Sequence, residues 1–131
     1  MPGNFLDSNI LLYLASGRRE KAERAEELVA SGGTISVQVL NEIANVFRRK
    51  MGMSWVETRN FLLIVRGLLN VEPVTIEIHD LGFDLAERYQ LSVYDGMIVS
   101  AALLAECDTL FSEDLQDGLV INGGLRVVNP F

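Results

Sequence analysis

At 131 residues the chain is the length of one ordinary domain and too short for two independent cores, so residues 1–131 are read as a single domain. A hydrophobic share of 49% excludes a disordered chain, and a net charge of -7 excludes one that grips nucleic acid by bulk positive charge. The longest uncharged apolar run, Gly96 to Ala105, falls far short of the roughly 20 residues that cross a bilayer, so no membrane segment is expected.

Asn4 to Leu6 reads as a short strand, and Asp7-Ser8-Asn9 offers capping groups before the apolar Ile10 to Leu14, which predicts a strand-to-helix turn. Lys21 to Ala30 is an amphipathic helix stopped by Ser31-Gly32-Gly33. Arg18, Arg19, Lys21 and Arg24 interleave there with Glu20, Glu23, Glu26 and Glu27, the pattern of a solvated face. Thr34 to Ser36 forms a brief second strand. It leads into a helix whose apolar stripe is Val39, Leu40, Ile43, Val46 and Phe47. Gly52 separates this helix from one carrying Trp55, Phe61, Leu62 and Val65, and the two are expected to form a hairpin.

Val71 to Thr75 reads as a third strand, placed at a sheet edge by Pro73. Glu77 to Tyr89 is helical, with Ile78, Leu81 and Leu85 facing the core; His79 near its start is a surface residue. Tyr94 to Ala105 is apolar on nearly every side after Asp95, as in a helix buried on most faces. The lone cysteine, Cys107, has no internal disulfide partner and is read as a packed small side chain. Thr109 to Ser112 is the fourth strand, Asn122-Gly123-Gly124 a turn, and Leu125 to Val128 the last strand. Strands alternating with helices predict an α/β fold with a mainly parallel central sheet. The absence of a secretory leader and the single thiol point to the cytoplasm.

Functional groups in such folds collect where the C-terminal ends of strands meet helix N-termini. Asp7 ends the first strand, Asp114 follows the fourth, and Asp95 opens the most apolar helix. Glu42 lies inside a helix, at the margin of the stripe next to Val39 and Val46. Each acid alone has a plain structural explanation: Asp7 or Asp95 as a helix cap, Asp114 as a turn residue, Glu42 as a solvated boundary residue. Gathered in one cleft they repel, so their pKa values rise or a cation binds. Hard oxygen ligands suit Mg2+ or Mn2+.

The segments around these acids resemble the PIN-domain family. Phe5-Leu6-Asp7-Ser8-Asn9-Ile10-Leu11 is similar to its opening motif, and Ser36-Val37-Gln38-Val39-Leu40-Asn41-Glu42 to its second. Ser92-Val93-Tyr94-Asp95-Gly96-Met97-Ile98-Val99-Ser100-Ala101-Ala102 resembles the third motif, and Leu110-Phe111-Ser112-Glu113-Asp114-Leu115-Gln116-Asp117-Gly118 the fourth. The closing Leu125 to Phe131 resembles the tail of the VapC-like toxin branch.

The resemblance implies a PIN-like three-layer α/β/α sandwich and a metal-dependent endoribonuclease. It further implies the toxin of a toxin-antitoxin pair, a homodimer silenced by a cognate antitoxin. Asp7, Glu42, Asp95 and Asp114 would be the catalytic, metal-binding carboxylates, with Asn9 and Ser112 hydrogen-bonding behind them. Glu113, the neighbour of the motif acid, is left open between a place at the site and one pointing away from it. Asp117 is left open between metal, RNA and closure of its turn. One or two metals, about 4 Å apart if two, would activate water and neutralise the phosphate. Arg48, Arg49 and Lys50 would steer the RNA or simply end their helix in solvent.

Competing chemistries fit less well. A phosphoacceptor receiver needs a lysine after a late strand, and the chain has only Lys21 and Lys50. An Asp-x-Asp phosphatase is contradicted by Asn9. A dinucleotide fold lacks its glycine fingerprint, and a single His79 gives triad chemistry little support. The alternative from another class is a non-catalytic module that binds RNA or sequesters an antitoxin by occupancy.

Overall fold

The computed structural model describes residues 3–131. Six strands form one sheet: β1 (Gly3–Leu6), β2 (Thr34–Ser36), β3 (Asn70–Glu72), β4 (Cys107–Phe111), β5 (Val120–Ile121) and β6 (Leu125–Val128). Their order is β3-β2-β1-β4-β6-β5, parallel throughout except for the antiparallel β5–β6 pair. Helices α1 (Ser8–Leu12), α2 (Arg19–Ala30), α3 (Val37–Arg49), α4 (Trp55–Leu68), α5 (Ile76–Tyr89) and α6 (Val93–Leu104) flank it, giving an α/β/α sandwich. The predicted α/β class holds.

The sheet core consists of side chains with no exposed area, among them Phe5, Leu6, Ile35, Leu110 and Val127. The adjacent apolar pairs Phe5-Leu6 of β1 and Leu110-Phe111 of β4 put apolar side chains on both faces, as suits a parallel sheet covered on both sides. Within α6, Gly96 to Ala102 are all buried, as its unpatterned apolarity required. Gly96 permits this packing: a Cβ there would lie 2.3 Å from the Gly82 carbonyl oxygen of α5. The α3–α4 hairpin is closed by the Phe47 and Phe61 rings, 4.7 Å apart, and a Ser54–Glu57 capping box starts α4.

Three local features differ from expectation. The third strand stops at Glu72, before Pro73, whose missing N–H cannot extend a ladder; β3 does lie at the sheet edge. The first helix is one short α segment followed by a 3-10 turn at Tyr13–Ala15. β5 was not anticipated, because two residues are too few to show a period-2 pattern. It pairs with β6 across the Asn122-Gly123 turn, where both residues have positive φ.

No helix among the described residues is long and apolar enough to cross a membrane.

Candidate active site

The strand order reverses its direction of growth at β1 and β4, which lie side by side although more than 100 residues separate them in sequence. The C-terminal ends of those two strands therefore form the crevice in which α/β sheets place functional groups. Asp7 leaves β1 at that point and caps α1, its side chain accepting from the Ser8 amide at 2.7 Å. It is only 3% exposed. Its other oxygen accepts from Ser112 Oγ at 2.8 Å and from Asn9 Nδ2 at 3.3 Å. Burial pushes the Asp7 carboxyl up to about 7, against the lowering effect of the Ser112 and Ser8 hydrogen bonds; the charges of Glu42 and Asp95 raise it further.

Glu42 comes in from α3. Its Oε1 accepts from Ser8 Oγ at 2.7 Å and its Oε2 from Gln38 Nε2 at 3.3 Å. Ser8 thus bridges Glu42 and Asp7. On the β4 side, Asn9 Nδ2 lies 3.2 Å from Asp114 Oδ2 and so bridges Asp114 to Asp7. Ser112, fully buried, accepts from the Asp114 and Leu115 amides and fixes the turn that carries Asp114. Asp95 sits in the first turn of α6, and Ser92, not Asp95, is the cap. Partial burial raises the Asp95 carboxyl, and the Asp114 charge adds to this.

The structure therefore brings Asp7, Glu42 and Asp114 into one hydrogen-bonded network and Asp95 into its electric field. Among the described residues no ion pair involves any of these four acids. Nor do three acidic side chains close on one point as a preassembled ligand set; hydroxyl and amide groups bridge them instead.

Asn9 and Ser112 occupy the supporting positions expected of them. Glu113 points elsewhere: it bonds to Tyr13 Oη and to Lys21 Nζ, which hold its carboxyl below the ordinary range. Lys21 also lies over the Tyr13 and Phe131 rings, so it is half-buried and not part of a fully solvated face. Sequence offered no sign of this, because Tyr13, Lys21, Glu113 and Phe131 meet only across the fold. Asp117 accepts from the Asn129 amide at 2.8 Å, which ties its loop to the chain just after β6. Arg48 is not a free phosphate clamp: it donates to the Met53 carbonyl at 2.6 Å and stacks 4.1 Å from the Trp55 ring centroid. Arg49 and Lys50 are exposed, as is His79, and Cys107 is buried. The bridging role of Ser8 and the support that Gln38 gives Glu42 were missed; their positions within the first two motifs were the available signal.

A family model described as the PIN domain matches residues 5–116, a span that contains all four acids. The chain belongs to the PIN-domain family. Among solved structures, a chain of a toxin-antitoxin complex from Klebsiella pneumoniae superposes on this PIN domain with a TM-score of 0.74. The two are 23% identical, with 98% of each chain covered. VapC20 of Mycobacterium tuberculosis, described as a sarcin-ricin loop cleaving toxin, gives 0.66 at 18% identity, covering 85% of this chain and 91% of that one. VapBC2 from Rickettsia felis, bound to a fragment of its promoter DNA, gives 0.68 at 21%, covering 95% and 96%. At such identities the shared property is the fold. No curated protein matches the sequence.

Proposed function

We propose that this PIN domain is a Mg2+- or Mn2+-dependent endoribonuclease that hydrolyses RNA phosphodiester bonds, with Asp7, Glu42, Asp95 and Asp114 as its metal-holding catalytic carboxylates. The observation that carries the reading is the gathering of these acids at the β1–β4 crevice without a basic side chain of their own. Burial, with the charges of Glu42 and Asp95, opposes ionisation of Asp7, and its neutral hydrogen-bond donors offset this only in part. A hard divalent cation fits this donor set: carboxylate oxygens backed by hydroxyls and an amide. When bound it supplies an acidified water and neutralises charge on the phosphate, which also lets an acidic protein accept a polyanion.

The chain's own residues do the positioning. Ser112 and Asn9 orient Asp7 and Asp114, and Ser8 orients Glu42. The α6 N-terminus favours an ionised Asp95 through its dipole.

The fold neighbours are chains of toxin-antitoxin assemblies, which supports the further reading that this chain is the toxin of such a pair. In that reading it acts in the cytoplasm as a homodimer and is held silent by an antitoxin protein.

The test is incubation of the purified chain with a panel of cellular RNAs, with Mg2+, Mn2+ or a chelator, beside Asp95→Asn. The expected result is metal-dependent cleavage that the variant loses by about 100-fold or more. Equal cleavage by both proteins sinks the site. RNA binding without cleavage by the wild type assigns the chain to a non-catalytic module instead.

A further inference from the structure

Beside Glu42 lies a depression of about 280 Å³ lined by Gln38, Asn41, Glu42, Asn45 and Tyr94. Its floor is one helical stripe: Gln38, Asn41, Glu42 and Asn45 stand at i, i+3, i+4 and i+7 of α3. From Val37 to Phe47 the only charged residue of α3 is Glu42, so the stripe is three amides around one acid. Its wall is Tyr94, 66% exposed and one residue before Asp95. The depression thus adjoins two of the four candidate metal-holding residues, Glu42 within it and Asp95 beside its wall.

Side-chain amides carry donors and acceptors side by side, the complement of a nucleobase edge, and an exposed phenol ring offers a face for the base to stack on. Three neutral amides also let a polyanion approach a chain of net charge -7 with little local repulsion. A second depression shares Asn45 and runs to Arg49 and Trp55. A strand laid from the acids over the amide stripe therefore reaches an exposed cation for its next phosphate.

We infer that Gln38, Asn41, Asn45 and Tyr94 form a base-reading subsite for one unpaired nucleotide of the RNA substrate next to the bond that is cut. The inference rests on the nuclease reading and goes beyond it by naming what selects the cleavage position. Gln38 links the two sites, since its amide holds Glu42 while facing the depression. Asn41 and Asn45 read the base edge, Tyr94 stacks on its face, and Arg49 holds the backbone without regard to sequence.

The test uses the full chain and short single-stranded RNAs that differ in one base next to the cleaved bond. With Asn41→Ala and Asn45→Ala, the ratio of kcat/KM between the best and worst base is expected to fall roughly 10-fold, the order of one lost bidentate contact. Tyr94→Ala raises KM roughly 10-fold for every base, and Tyr94→Phe restores it. Arg49→Glu raises KM for all RNAs alike and leaves the base ratio intact. Wild-type base ratios in both asparagine variants overturn the subsite. So does a change of oligomeric mass in those variants with unchanged base ratios, which assigns the face to a second copy of the chain. If the wild type cuts none of the RNAs, the nuclease reading fails; fluorescence anisotropy of the same labelled RNAs then decides the subsite separately, and equal affinities of wild type and Asn41→Ala overturn it.

Discussion

Asp7 and Glu113 are bonded to the same residue, Asn9, and their carboxyls are driven in opposite directions. Asn9 donates from its amide nitrogen to the Asp7 carboxylate, and its oxygen accepts from the Glu113 backbone amide. Glu113 has a lysine of its own and the Tyr13 hydroxyl, which hold its carboxyl low. Asp7 has only neutral donors and the charges of Glu42 and Asp95, and burial holds its carboxyl high. The difference separates two kinds of acid in one loop cluster. One has its charge balanced within the chain and serves structure; the other has it balanced only by a proton or by a cation from outside.

The contrast is most exposed to attack through Asp7 itself. Its folded pKa of about 7 lies above the ordinary value of 3.8, so between those values the folded state binds the extra proton. The contribution of Asp7 to the stability of the metal-free protein is therefore full below about pH 4 and is lost as pH rises towards 7. Asp7→Asn keeps the helix cap and removes this loss. Thermal melts in chelator should show the variant gaining stability over the wild type as pH rises from about 4 to about 8. Melts that track each other across that range would show that Asp7 is not held up by burial. Added Mn2+ should then raise the wild-type Tm and leave the variant's unchanged.

Ser112→Ala removes the hydroxyl that donates to Asp7 and accepts from the Asp114 amide, and Mn2+ affinity measured by calorimetry is expected to drop roughly 10- to 100-fold. Gly96→Ala drives a methyl into the Gly82 carbonyl and forces α5 and α6 apart beneath Asp95. Urea unfolding should report a loss of about 1–3 kcal/mol, typical of overpacking. The smallest effect belongs to the acid that is already balanced. Lys21→Met should return the Glu113 carboxyl towards its ordinary range, seen by NMR titration, with little change in the Asp7 titration. A large response at Asp7 would mean that the two acids are coupled rather than separately balanced.

Much of this was readable from the chain because it rests on local chemistry. Asp7 as a cap at a strand-to-helix turn needs only its neighbours, and a helix apolar on every side has to be buried, as α6 is. β3 does lie at the sheet edge as expected, although Pro73, the residue that suggested it, stands just outside the strand. Arg48 was misplaced for a reason that is equally physical: three basic residues in a row look alike in sequence. A carbonyl in the following loop and an exposed ring at the next helix start single out one of them. β5 and the Lys21–Glu113 pair escaped because two residues show no period and because partners 92 residues apart leave no local trace.

The sequence by itself determined which acids exist, which elements carry them and which family they belong to, since strand ends, caps and apolar periods are set within a few residues. Only the tertiary structure decided that Asp7 is buried among neutral donors while Glu113 is paired with a lysine. The sheet order that sets β4 beside β1 brings both acids to one turn, and burial and charge act through distances that chain position does not encode.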